Sequence, residues 1–158
     1  MRILFATNLS EPPSVTGEIQ HLAGLLKADV FVLHVISPAP SAVAPIDPMT
    51  GLGGFAPYSL YDPELEVSLE KAERNAFTAF LDERFSIPVH AAIRKGNPAE
   101  VIIEDADEHE ADLIIIGKRR HGRLEQLFVG STAGEVLKRA TRPTLVMPVA
   151  DQGAAERS

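Results

Sequence analysis

Residues 2–7 (RILFAT) and 29–36 (DVFVLHVI) are short apolar runs dense in β-branched and aromatic side chains, and neither alternates cleanly with polar residues. A strand apolar at consecutive positions needs cover on both faces, which in practice means a parallel sheet with helices above and below. Between the two runs, Val15, Ile19, Leu22, Ala23 and Leu26 recur at three- and four-residue spacing. That period predicts an amphipathic helix, with Ser14 as its N-cap. Strand, helix and strand make a βαβ unit, whose crossover is right-handed in nearly all cases.

The same grammar continues downstream. From Pro63 to Phe85 the period is helical, with Leu65, Leu69, Ala72, Ala76, Phe77 and Phe80 on one stripe and Glu66, Glu70, Glu73 and Arg74 off it. Residues 88–94 (PVHAAIR) read as a third strand, 113–116 (LIII) as a fourth and 144–149 (TLVMPV) as a fifth. Asn97 is placed to cap a helix whose first position is Pro98, with Val101, Ile102 and Ala106 inward. A last helix carries Ala133, Val136, Leu137 and Ala140. The alternation predicts one doubly wound α/β domain over residues 1–150, and a flexible polar tail over 151–158. Residues 38–63 interrupt it with six of the twelve prolines, three glycines and two charges. A loop of that length is either a mobile insertion or a lid or partner contact.

Several classes of function are disfavoured. The absence of cysteine removes disulfides, thiolate nucleophiles and Cys-based metal sites. A formal charge of -7 argues against long polyanions such as nucleic acid and against anionic membrane surfaces. The start, MRILFATNLS, has no signal-peptide h-region, and no apolar run is long enough to span a membrane, so a cytoplasmic protein is expected. Asn8-Leu9-Ser10 is accordingly a glycosylation sequon by letter alone. Gly117–Arg123 (GKRRHGR) has Walker-like glycine spacing, yet Arg123-Leu124 stands where a P-loop needs Lys and a hydroxyl. No G-x-G-x-x-G follows the first strand, which disfavours a dinucleotide site.

Ligands of open parallel sheets bind outside the carboxyl ends of the strands. That rule selects Thr7–Ser10, Ile36-Ser37 and the loop from Gly117, where Lys118, Arg119, Arg120 and Arg123 lie together without an acid. Gly130-Ser131-Thr132 precedes the last helix, a combination suited to phosphate through free N–H groups, hydroxyls and the helix dipole. The competing reading is that Ser131 simply caps the helix. The acidic run Glu100–Asp112, with seven carboxylates and no base, reads as a solvated face rather than a cation site. His34, in an apolar strand, reads as a satisfied core histidine; His121, in the basic loop, is either a phosphate contact or plain surface.

Taken together, these segments resemble the universal stress protein family over about residues 2–149. The stretch GKRRHGRLEQLFVGS matches the family signature G-x2-G-x9-G-[ST] at Gly117 and at Gly130-Ser131, with ILFATNLS, LHVI, GNPAEVIIEDADEHEADLIIIG and RPTLVMPV in family order. The resemblance implies a five-stranded parallel sheet of order 3-2-1-4-5 that binds an adenine nucleotide, ATP or AMP. It places Ala6, Thr7, Asn8, Val35 and Ile116 around the nucleoside, and Gly117, Arg120, Gly130, Ser131 and Thr132 near phosphate. Two residues depart from the family pattern. Arg120 replaces the second glycine, where it either blocks backbone approach or pairs with phosphate bidentately. Asn8 replaces the usual aspartate, and a neutral amide is a poorer Mg2+ ligand than a carboxylate. The order makes strand 144–149 an apolar edge, which points to a homodimer through that strand. The function implied is nucleotide binding with signalling through dimer or partner contacts; an interaction module without nucleotide and a slow ATPase are the alternatives, and no catalytic constellation emerges. Residues 117–123 hold four basic residues, leaving -11 on the rest of the chain. The acidic average therefore does not oppose a single nucleotide.

Overall fold

A computed structural model describes residues 1–38, 63–119 and 130–149. Most of the 38–63 loop, Arg120, His121 and the 151–158 tail lie outside the described residues.

The strands are β1 (Arg2–Thr7), β2 (Asp29–Ile36), β3 (His90–Lys95), β4 (Leu113–Arg119) and β5 (Thr144–Val149). The helices are α1 (Pro13–Leu26), α2 (Pro63–Arg84), α3 (Pro98–Glu108) and α4 (Ser131–Arg139). All strand pairs are parallel and the order is β3-β2-β1-β4-β5, as the resemblance implied. Alternate residues of the strands feed two cores. Leu4, Ala6, Leu33, Ile114 and Ile116 pack with α3 and α4, whereas Ile3, Phe5, Val30, Val32 and Ile115 pack with α1 and α2. Ile3, Leu4 and Phe5 are all fully buried, which explains why the first strand shows no alternation in the sequence.

Local chemistry sets the helix starts. Asn97 caps α3 as expected, its side chain accepting from the Glu100 N–H. Before it, Gly96 has φ of 144°, and an added Cβ would lie 2.9 Å from Val101 Cγ2, so both conformation and space require glycine there. At α1 the expected Ser14 cap is wrong. Pro12, preceding another proline, is held extended, and Pro13 opens the helix without needing its missing N–H; Val15 N–H bonds the Pro12 carbonyl.

Helix α2 departs further from the expected stripe. Phe77 and Phe80 are buried, but Leu65 and Leu69 are exposed, as are Ala72 and Ala76. The inward row is instead Glu70, Glu73, Phe77 and Phe80, with exposed Glu66 continuing it at equally good helical spacing. Its acidic half faces nitrogen groups: Glu66 and Glu70 pair with Lys95, and Glu73 meets His34. In α4, Ala133 and Val136 are buried as expected, whereas Leu137 is exposed.

The acidic run is not merely a solvated face. Arg2 pairs with Glu110, Arg139 with Glu100 and Arg142 with Asp107, tying α3 and its C-terminal turn to β1, α4 and the approach to β5. Arg94 of β3 binds Glu108 and, through Nε at 2.8 Å, the buried carboxylate of Asp105. Burial pushes the Asp105 carboxyl above its ordinary range, against the opposing pull of Arg94 and His109. The two partners of this pair are therefore unequal. Arg94→Met strands a buried charge and is expected to cost roughly 3 kcal/mol, while Asp105→Asn leaves Arg94 with Glu108 and costs about 1 kcal/mol or less. Removing Arg94 also raises the Asp105 pKa further, so that variant's stability falls as pH rises through the raised folded value. Its deficit should shrink in acid, as measured by urea denaturation across pH.

Candidate functional site

The sheet divides where its central strand ends. Pairing of β1 with β4 stops at Ala6 and Ile116, while β4 continues alongside β5 as far as Arg119 and Val149. On the other side β1 stays with β2 to Thr7 and His34, and β2 stays with β3 to Ile36 and Lys95. The chain leaves β1 towards α1 and β2 on one side, and β4 leads to β5 on the other. This is the topological switch point at which such sheets bind ligands. The fourth strand is longer than the expected 113–116, because Gly117, Lys118 and Arg119 still have β5 as a partner.

Three of the expected nucleoside residues share one face. Ala6 and Ile116 are buried in the cluster that includes Ala133 in the first turn of α4, and Val35 packs against it from β2. Thr7 belongs to the other face. Its side chain is buried, and its hydroxyl donates to Glu11 Oε2 at 2.6 Å. Asn8 is exposed, with its amide oxygen turned back to accept from the backbone N–H and the hydroxyl of Ser10. Gly117 lies within β4, opposite Met147.

On the phosphate side, Gly130 and not Ser131 is the N-cap of α4, and no side chain caps the helix. The alternative reading of Ser131 as a plain cap therefore fails: it is the first helical residue, and its side chain is not in the capping position. A Cβ built on Gly130 meets nothing within 4 Å, and its φ of -50° suits any residue. Among the described residues the glycine is thus not required by packing or conformation, and none of them caps the first-turn N–H groups with a side chain. Ser131 is exposed and Thr132 half-buried at the same turn. Arg120, the remaining expected phosphate contact, lies outside the described residues.

Sequence reasoning missed two groups here. Glu11 is buried, and its Oε1 takes the Asn8 N–H at 3.3 Å while Oε2 takes the Thr7 hydroxyl. These bonds close a turn in which Leu9 has φ of 68° and its N–H bonds Thr7 Oγ1. Glu11 is the sole acid in the first seventeen residues, a signal available in advance. The second is the pairing of His34 with Glu73, 39 residues apart and invisible to local pattern. His34 itself is buried and satisfied, as expected.

With this geometry in place, comparison with known proteins is decisive about family. The sequence model of the Universal stress protein family matches residues 1–148. The chain belongs to the universal stress protein family. It is 29% identical over 128 residues to universal stress protein MJ0531 of Methanocaldococcus jannaschii, an alignment covering 80% of this chain and 69% of that protein. Universal stress protein MJ0577 of the same organism is 27% identical over 151 residues, 92% of this chain and 93% of its own length. A solved structure of MJ0577 has the same fold, with a TM-score of 0.63 at 24% identity over 95% of this chain and 96% of that one. A universal stress protein solved in complex with cAMP superposes with a TM-score of 0.58 at 15% identity, covering 95% and 98% of the two chains. Among the described residues, no helix is long and apolar enough to cross a membrane.

Glu11 gives this family member a testable hinge. Glu11→Ala leaves a buried hydroxyl and a backbone N–H without their acceptor, at an expected cost of about 1–3 kcal/mol. Amide exchange at Asn8 should accelerate by more than the global change in stability.

Proposed function

We propose that this chain binds one adenine nucleotide, ATP or AMP, across the switch point, and acts through the complex it then forms rather than by rapid turnover. The observation that carries this reading is the first turn of α4. Among the described residues it has no capping side chain and nothing beside the Gly130 Cβ position, and it shares its buried cluster with Ala6 and Ile116 at the divergence of β1 and β4. A phosphate seated there accepts from backbone N–H groups and from Ser131 and Thr132, at the positive end of the helix dipole. The nucleoside then lies over Ala6, Val35 and Ile116, with Asn8 at the rim and Gly117 on the phosphate side; the resemblance makes Arg120 a phosphate contact as well, but it lies outside the described residues. A nucleotide complex of a same-fold relative, the cAMP-bound universal stress protein, is in keeping with this chemistry.

Magnesium is not assigned to the protein. Asn8 has a neutral amide whose oxygen faces Ser10, and Glu11 is buried on Thr7, so neither extends a carboxylate towards the phosphate side. The domain is taken as residues 1–150. A second copy pairing along β5 is the partner reading. Ile114 N–H bonds the Pro143 carbonyl, so by strand alternation Thr144, Val146 and Pro148 direct their backbone groups to the open edge. Pro148 costs no ladder bond there and limits pairing to the first half of the strand.

Calorimetric titration with ATP, ADP and AMP tests the site, and phosphate release under the same conditions tests turnover. One site per chain filling below millimolar concentration, with negligible release, is expected; no binding below millimolar overturns the reading. Ser131→Asp separates site from scaffold. A carboxylate in the first turn favours the helix by a few tenths of a kcal/mol, but repels phosphate and should weaken nucleotide affinity roughly tenfold. Light scattering at micromolar concentration should give the mass of two chains; a single-chain mass ends the β5 proposal.

A further inference from the structure

Thr7 is held from both sides. Its hydroxyl is bound by Glu11, and its carbonyl accepts from His34 Nδ1 at 3.0 Å. The other ring nitrogen, Nε2, lies 2.5 Å from Glu73 Oε2 on α2, and the ring stacks on Phe77 with centroids 5.8 Å apart. Both nitrogens therefore face oxygen. A carbonyl cannot donate, so Nδ1 must carry a proton, and a neutral ring then presents a lone pair to the Glu73 carboxylate. The chain Thr7–His34–Glu73 is satisfied when it holds one more proton, shared between Nε2 and the carboxyl group.

Among the described residues, the surroundings leave this proton to His34 and Glu73. From β1 the ring meets the Thr7 carbonyl, with Glu11 beyond it on the hydroxyl; from α2 it meets Glu73 and Phe77. From β3 its neighbour in register is Ile93, and the next charged side chain, Lys95, is engaged by Glu70 and Glu66. His34 is 6% exposed, so its ring has little access to water, while the Glu73 side chain is about half exposed at 45%.

We infer that His34 is a positioning residue for the nucleoside end of the site: with its shared proton in place, it ties the tip of β1 to α2, and loss of that proton loosens the Thr7–Glu11 turn. The inference rests on the proposed nucleotide site for its consequence, since Thr7 and Asn8 belong to that turn and Ala6 immediately precedes it. The proton step is simple: an N–H···O bond at Nε2 is replaced by opposed lone pairs when base removes the proton. Glu73→Gln relieves this opposition, because its amide N–H donates to the neutral ring while Nδ1–H stays on Thr7.

The test needs no ligand in its first arm. In the wild-type protein, the His34 ring signal is followed by NMR as pH is varied, together with the amides of Thr7–Glu11. The amides are expected to shift with the same midpoint as the ring and to exchange faster above it. Glu73→Gln should abolish the coupled amide shift while leaving the fold intact. Amides that ignore the ring, or a Glu73→Gln variant that titrates like wild type, overturn the inference.

The second arm uses adenosine, whose charge does not change over the titration. Its affinity should fall about tenfold above the midpoint in the wild type and stay flat in Glu73→Gln. Adenosine bound with a flat profile in the wild type also overturns the inference. Absence of adenosine binding at every pH counts against the nucleotide site itself, and the amide arm then decides the role of His34 alone.

Discussion

Six residues, Arg2–Thr7, carry the backbone ladders of both halves of the sheet, with β2 on one side and β4 on the other. Because β1 is central, its side chains are buried on both faces, and Ile3, Leu4 and Phe5 lose essentially all exposure. The same centrality creates the site. When β1 ends, β2 and β4 no longer have a common neighbour, and the two halves part over Ala6 and Ile116. The start of α4 is packed into that region through Ala133. Strand order thus brings an apolar floor and the first turn of α4 together at the switch point, where open parallel sheets bind ligands.

Much of this was legible because doubly covered strands have to be apolar throughout. Runs such as RILFAT and DVFVLHVI identify themselves, and the observed β1, β2 and β5 have the expected ends. What was illegible depended on partners distant in sequence. The residues of α2 offer two helical stripes, one with four apolar members before Phe77 and one with three glutamates. The fold turns the acidic one inward because His34 and Lys95 stand opposite. Burial of apolar area would have favoured the other choice on local grounds alone. Likewise LIII looked like a finished strand, yet β5 provides hydrogen-bonding partners as far as Arg119.

The helix starts teach a related lesson about the site. Ser14 and Ser131 are both plausible caps by type, and neither caps. At α1 two prolines determine where the helix begins. At α4 the N-cap is glycine, which satisfies no N–H with a side chain and leaves the position open to an external acceptor. Ion pairs tell the complementary story at α3, where Glu100, Asp105, Asp107 and Glu108 are engaged by arginines from outside the helix. The acidic surplus is thus largely structural on that face, and the proposed anion site draws on other residues, at the first turn of α4.

The central claim is the location of the site. Amide chemical shifts of the labelled protein, followed while AMP is added, test it residue by residue. The account predicts that the largest perturbations fall at Ala6–Ser10, Val35, Ile116-Gly117 and Gly130–Ala133, and saturate together. Perturbations centred elsewhere, for instance along α3 and β3, would contradict it, as would an unchanged spectrum at millimolar AMP.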